Sequence, residues 1–143
     1  MKYALFNTCV TTMQKTLLAY AATTLVMLAI DLVWLGLIAK PLYQQGIGHL
    51  MAAEPKLVVG AIFYLLYPAG LMVFAVLPGA SLAWGDTAIK AALFGFFAYA
   101  TYDLTNLATL KNWPIGLALI DMAWGTGVST VAALAGRWAY QAA

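Results

Sequence analysis

A chain of 143 residues that is 64% hydrophobic and only 8% charged is too apolar for a soluble domain, where about a quarter of residues would be charged. With a mean hydropathy of +0.88 it reads as an integral membrane protein. Its formal charge of +2 comes from scattered basic residues, which excludes a nucleic-acid footprint, and the single cysteine, Cys9, excludes an internal disulfide and a cysteine-rich metal site.

The N-terminal stretch is too broken by Asn7 and threonines for a signal-peptide core, and Phe6-Asn7-Thr8-Cys9 is not a lipid-attachment signal. A more regular start follows at Met13-Gln14-Lys15. Residues 1–15 are therefore expected to be an extension, ordered or frayed, of one domain over 16–139. Within that domain four apolar stretches of roughly 20 residues, at about 16–39, 57–77, 88–110 and 114–136, are each long enough to cross a hydrocarbon layer of ~30 Å. The fold expected is an all-α integral membrane bundle of four transmembrane helices.

The first stretch carries Ile30-Asp31-Leu32-Val33-Trp34, and Thr24, Met27, Asp31, Trp34 and Leu35 share a helical face. Pro41 is expected to stop this helix, leaving residues 40–56 as a loop in which His49, with Glu54, could gate a cavity or simply be solvated. The second stretch presents Gly60, Tyr64, Tyr67 and Pro68, and a proline there should kink the helix and free a carbonyl. Pro78 ends it.

In the third stretch a polar run, Tyr99-Ala100-Thr101-Tyr102-Asp103-Leu104-Thr105-Asn106, interrupts apolar sequence. Gly95, Tyr99, Tyr102, Asp103 and Asn106 fall on one stripe. Lys111-Asn112-Trp113-Pro114 is so short a link that the third and fourth helices must be antiparallel neighbours, with Pro114 in the first turn of the fourth. That helix repeats the Asp-x-x-Trp phrase as Asp121-Met122-Ala123-Trp124, and Asp121, Gly125 and Ser129 share a face. Two copies on helices of opposite direction suggest an inverted two-helix repeat. Glycines 95, 125 and 127 would let helices approach closely.

Counting from the helix ends, Asp31, Asp103 and Asp121 all fall about 10 Å below the surface that carries residues 40–56 and 111–114, and Tyr64 shares that level. No lysine or arginine lies there. Acids at membrane depth are costly and mark functional sites, so Asp31, Asp103 and Asp121, with Tyr64, Tyr67, Tyr99, Tyr102, Asn106, Trp34 and Trp124, are the candidate ligand-binding residues. Three facing carboxylates would repel by several kcal/mol at low effective dielectric unless they hold a proton or a cation. The plainer reading is that these groups hydrogen-bond to one another and only fix helix packing, with the tryptophans as packing or lipid-facing residues. Trp84, Trp113, Trp138, Tyr140 and Tyr43 suit the interfacial belt.

Three function classes follow. The first is a site binding or transporting a proton, cation or small amphipathic ligand. The second is a membrane enzyme acting on a lipid, with an aspartate as general acid or base. The third is an accessory subunit. Serine-hydrolase, zinc-protease and phosphate-loop signatures are missing, no catalytic residue stands out, and the sequence names no cofactor; a metal, if used, would be a hard cation such as Mg²⁺ or Ca²⁺. The lipid bilayer is one partner, and because four helices bury little surface a homodimer or larger complex is expected. Lys2, Lys15, Lys90 and Arg137 against Lys40, Lys56 and Lys111 place both termini in the cytoplasm by one charge.

The phrases Asp31-Leu32-Val33-Trp34-Leu35-Gly36, Phe63-Tyr64-Leu65-Leu66-Tyr67, residues 99–110 and Asp121-Met122-Ala123-Trp124-Gly125-Thr126 resemble those of a bacterial family of small membrane proteins, domain of unknown function 2177. The resemblance runs from about Thr16 to Ala139. It implies a four-helix bacterial inner-membrane protein and adds no mechanism.

Overall fold

The computed structural model describes the backbone from residue 2 and the side chains from residue 11; the expectations for Cys9 and for the charge of Lys2 fall on side chains outside the described residues. The fold is all-helical among the described residues and consists of four rods. The first is α1 (Lys2–Val33), a π-helical turn at Trp34–Ile38 and α2 (Ala39–Ile47), closed by a 3₁₀ turn at Gly48–Leu50. The second is α3 (Leu57–Leu71), a π turn at Met72–Val76 and the single turn α4 (Leu77–Gly79). The third and fourth are α5 (Trp84–Thr109) and α6 (Ile115–Ala142).

Two boundaries depart from the sequence reading. Helix continues from residue 2 through residue 16 without a break. It also continues past Pro41, so the expected loop shrinks to about residues 51–56. The π turn supplies the reason. Ala39 N–H bonds back five residues to Trp34 O, and Pro41, third in α2, sits where the ladder returns to four-residue spacing, so its missing N–H breaks no regular run. Near Pro68 the disturbance takes a similar form: Met72 N–H reaches both Ala69 O and Pro68 O, and the π turn follows.

Three segments, Thr11–Leu50, Leu57–Gly79 and Ile115–Ala142, are long and apolar enough to cross a membrane. The 26-residue α5 is long enough as well, but Asp86, Lys90, Asp103 and Asn106 lower its hydropathy. Its threonines are accommodated locally: Thr101, Thr105 and Thr109 are exposed and donate to the carbonyls of Phe97, Thr101 and Thr105 at 2.6, 2.5 and 2.7 Å. A hydroxyl bonded to its own helix can face lipid without an orphaned donor.

α6 is the central element, packed against α5 on one side and α1 on another. The α5–α6 contact is glycine-mediated. A Cβ at Gly95 would strike Gly125 O and Ser129, and one at Gly125 would enter the Tyr99 ring. The link between them is the tight turn expected from sequence, with Asn112 left-handed at φ 59°, a conformation asparagine tolerates; Pro114 caps α6 from outside rather than starting its first turn. At the far end Arg137 is buried at 2% exposure. Its Nη1 donates to Ala83 O and Thr87 Oγ1 at 2.7 and 2.9 Å, its Nη2 to Leu82 O at 2.5 Å, and its guanidinium lies 4.6 Å from the Trp84 ring. The arginine counted as a loop charge is thus a buried clamp on the segment joining the second and third rods.

Substituting alanine at Gly95 or Gly125 is expected to destabilise the protein by about 1–3 kcal/mol through overpacking. Gly127, where an added Cβ would meet nothing within 4 Å, should accept alanine within about 0.5 kcal/mol. Thermal unfolding in detergent checks this, and equal losses at Gly125 and Gly127 would refute the α5–α6 contact.

Candidate functional site

The Asp-x-x-Trp spacing places carboxylate and indole one turn apart on one helical face. Because α1 and α6 run antiparallel, with Gly136 against Ala19 and Thr23 and Trp124 at the level of Asp31, the two phrases meet face to face. The rings of Trp34 and Trp124 stack with centroids 4.2 Å apart and planes 10° apart, an arrangement worth about 0.5–1.5 kcal/mol beyond its buried area.

Around this stack the three aspartates have separate environments. Asp31, 4% exposed, accepts from Trp124 Nε1 on Oδ1 and from the Tyr64 hydroxyl on Oδ2, both at 3.1 Å. Asp121, 3% exposed, accepts from the Tyr43 hydroxyl at 2.7 Å. The Trp34 indole N–H turns toward the Tyr43 oxygen without closing a hydrogen bond. Asp103 is fully buried and neither of its oxygens has a hydrogen-bond partner; the Trp113 indole is directed at it but is itself unpartnered. Among the described residues no three His, Cys, Asp or Glu side chains are placed to hold a metal ion. Asp31 and Asp121 are thus met by different aromatic donors, and Asp103 lies within electrostatic reach of Asp121.

Of the other expected residues, Tyr67 shares a 2.8 Å hydrogen bond with Ser129 and sets its ring edge-on to Phe94 and Tyr99. Tyr99 lies over Gly125. Tyr102 is 53% exposed, packs against Trp113 at 5.8 Å and interacts with Asn106; this pair stays outside the hydrogen bonds to the aspartates. His49 and Glu54 are exposed and line no part of the cleft beside Asp31.

That open cleft, of about 310 Å³, is lined by Asp31, Trp34, Tyr43, Tyr64, Tyr99 and Trp124, with Phe63 and the aliphatic surface of Leu35, Val59 and Gly60. Its lining has one carboxylate, no basic side chain, and six aromatic rings. Tyr43 is the residue that sequence reasoning misassigned to the interfacial belt. Once Pro41 is admitted inside a helix, Ala39, Tyr43, Gly46 and Ile47 form an inward face, with Gly46 against Pro114 and Leu117.

Phenylalanine at either Trp34 or Trp124 should abolish the same far-ultraviolet exciton couplet of the stacked indoles, whereas Trp84→Phe leaves it intact. Trp124→Phe should also cost about 1–3 kcal/mol, since it strips a donor from a buried carboxylate. Circular dichroism and unfolding of the variants decide the point; a couplet that survives in either stacked variant removes the cross-pairing.

No curated protein and no solved structure matches the chain. Residues 16–138, nearly the whole bundle and all of the residues around the cleft, match the family described as "Predicted membrane protein (DUF2177)", and the chain belongs to that family of membrane proteins.

Proposed function

We propose that this membrane protein binds a small cationic group in the cleft beside Asp31, in a binding or transport role. The observation that carries this reading is the cleft's composition. A buried carboxylate served only by neutral donors, Tyr64 and Trp124, shares its cleft with aromatic rings and no basic residue. Carboxylate charge and ring quadrupoles both attract a cation, and the attraction strengthens away from water. Asp31, Trp34, Tyr43, Tyr64, Tyr99 and Trp124 form the site in this proposal. Asp121 positions Tyr43, and Tyr67 positions Tyr99. All four rods cross the membrane, α5 sheltered by α6, in a bacterial inner membrane with both termini cytoplasmic.

A second reading is onward transfer of a proton or cation toward Asp121 and Asp103. It is favoured by the complete burial of an Asp103 carboxyl with no partner, since a buried polar group in that condition calls for a water, ion or proton to satisfy it.

Titration of the purified protein with tetramethylammonium, followed by tryptophan fluorescence, tests the first reading. Binding should saturate, and Asp31→Asn should weaken it by about tenfold or more while Asp86→Asn, in the first turn of α5, leaves it unchanged. Absence of saturable binding to the wild-type protein, or equal binding by the Asp31 variant with its indole couplet intact, would overturn it. The four-span arrangement has its own check in a background lacking Cys9: cysteines at positions 49 and 85 should label from opposite sides of the membrane.

A further inference from the structure

The cleft beside Asp31 has a neighbour. Phe63, Tyr67, Ala98, Tyr99 and Tyr102 line a second cavity of about 380 Å³ between α3 and α5, and Phe63 and Tyr99 belong to both linings. The two spaces are thus adjacent, meeting at the side chains of Phe63 and Tyr99. Their chemistry differs in one respect: the first contains a carboxylate, whereas the second is lined by phenylalanine, three tyrosines and one alanine methyl group. The second also opens outward, because Tyr102 is 53% and Phe63 38% exposed on helices that otherwise present apolar side chains such as Ile62, Leu66 and Phe97 to their surroundings.

We infer that the site takes a single-chain amphiphile with an ammonium head, the head held at Asp31 among the aromatic rings and the hydrocarbon chain leaving sideways between α3 and α5 along Phe63, Tyr67, Ala98 and Tyr102. This deepens, and rests on, the proposal of a cation-binding cleft. Charge complementarity selects the head: the one carboxylate in the two linings is Asp31, and neither lining has a basic group to accept an anionic head. Adjacency selects the chain, since the cavity lined by Phe63, Tyr67, Ala98 and Tyr102 lies beside the carboxylate cleft and reaches the exposed surface at Tyr102. A chain moving from bilayer to groove gains little from the hydrophobic effect, as both surroundings are apolar. The groove therefore acts as an entrance: the head arrives laterally at membrane depth without the ligand leaving the bilayer, and specificity resides at Asp31.

The test uses the full-length protein in lipid nanodiscs with a dodecyltrimethylammonium probe carrying a photoactivatable diazirine in mid-chain, and mass-spectrometric mapping of the labelled peptides. Label is expected on residues 57–71 and 84–109, concentrated at Phe63, Tyr67, Ala98 and Tyr102. Excess tetramethylammonium should reduce it by about fivefold or more by occupying Asp31. The same chain with a neutral hydroxyl head should give only diffuse labelling that tetramethylammonium does not change. These comparisons are made on the wild-type chain and need no variant to fold; Ala98→Trp, which fills the groove, should remove the label while preserving tetramethylammonium binding. If tetramethylammonium binds but the probe labels the groove no more than its neutral counterpart does, the lateral path is wrong and the cation cleft stands. If tetramethylammonium neither binds nor competes, the cleft reading and this inference fall together.

Discussion

A carboxylate inside an apolar bundle must be met by donors or it destabilises the fold by several kcal/mol. This protein meets Asp31 with an indole and a phenol, and Asp121 with a phenol, using no basic side chain. That choice fixes much of the architecture. Trp124 can reach Asp31 only at one antiparallel register of α1 and α6, and the same register brings the two indoles into a 4.2 Å stack. Tyr64 then ties α3 to the pair, and Tyr43 ties α2. Hydrogen bonds to charged groups are worth about 1.5–3 kcal/mol each, and within lipid no hydrophobic force between helices competes with them. Polar contacts and close packing consequently determine which helix lies beside which.

The opposite end of the bundle solves the converse problem. Arg137 is as buried as the aspartates, yet it is served by the carbonyls of Leu82 and Ala83, the hydroxyl of Thr87 and the Trp84 ring. Carbonyl dipoles between helices are suited to a cation, so the guanidinium satisfies Leu82 O and adds a second bond to Ala83 O, which also accepts from Asp86 N–H. Between these two polar ends α5 and α6 touch through Gly95 and Gly125. Close approach there positions the Tyr99 ring over the α6 backbone, where it forms a wall common to both cavities. Packing in the middle of the bundle thereby shapes the cleft.

Much of this was legible in the amino-acid sequence because membrane helices obey few rules and obey them strictly. Apolar length indicated the four rods, and the short link at residues 111–114 the antiparallel α5–α6 turn. Three features were not legible, each for a physical reason. Pro41 inside a helix depends on a π turn that no local preference announces. Outward and inward polar residues of the run at 99–106 look alike in sequence, although Thr101 and Thr105 bond to their own helix while Asp103 turns inward. A shared level also does not specify partners: Asp31 is met by Tyr64 and Trp124, Asp121 by Tyr43, and Asp103 by no hydrogen bond.

The repeated phrase itself ends in asymmetry. Trp124 donates directly to Asp31, but Trp34 turns toward the hydroxyl of Tyr43, which in turn donates to Asp121. The interposed tyrosine comes from α2, and it hydrogen-bonds Asp121 while Asp31 borders the cleft. Two equivalent open carboxylates would offer a ligand two competing positions and leave a second charge to be satisfied in lipid. Tyr43 supplies Asp121 with a donor, and Asp31 is the one carboxylate in the lining of the cleft. The helix that continues beyond Pro41 is therefore the element that converts a nearly symmetric pair of phrases into one closed side and one open side.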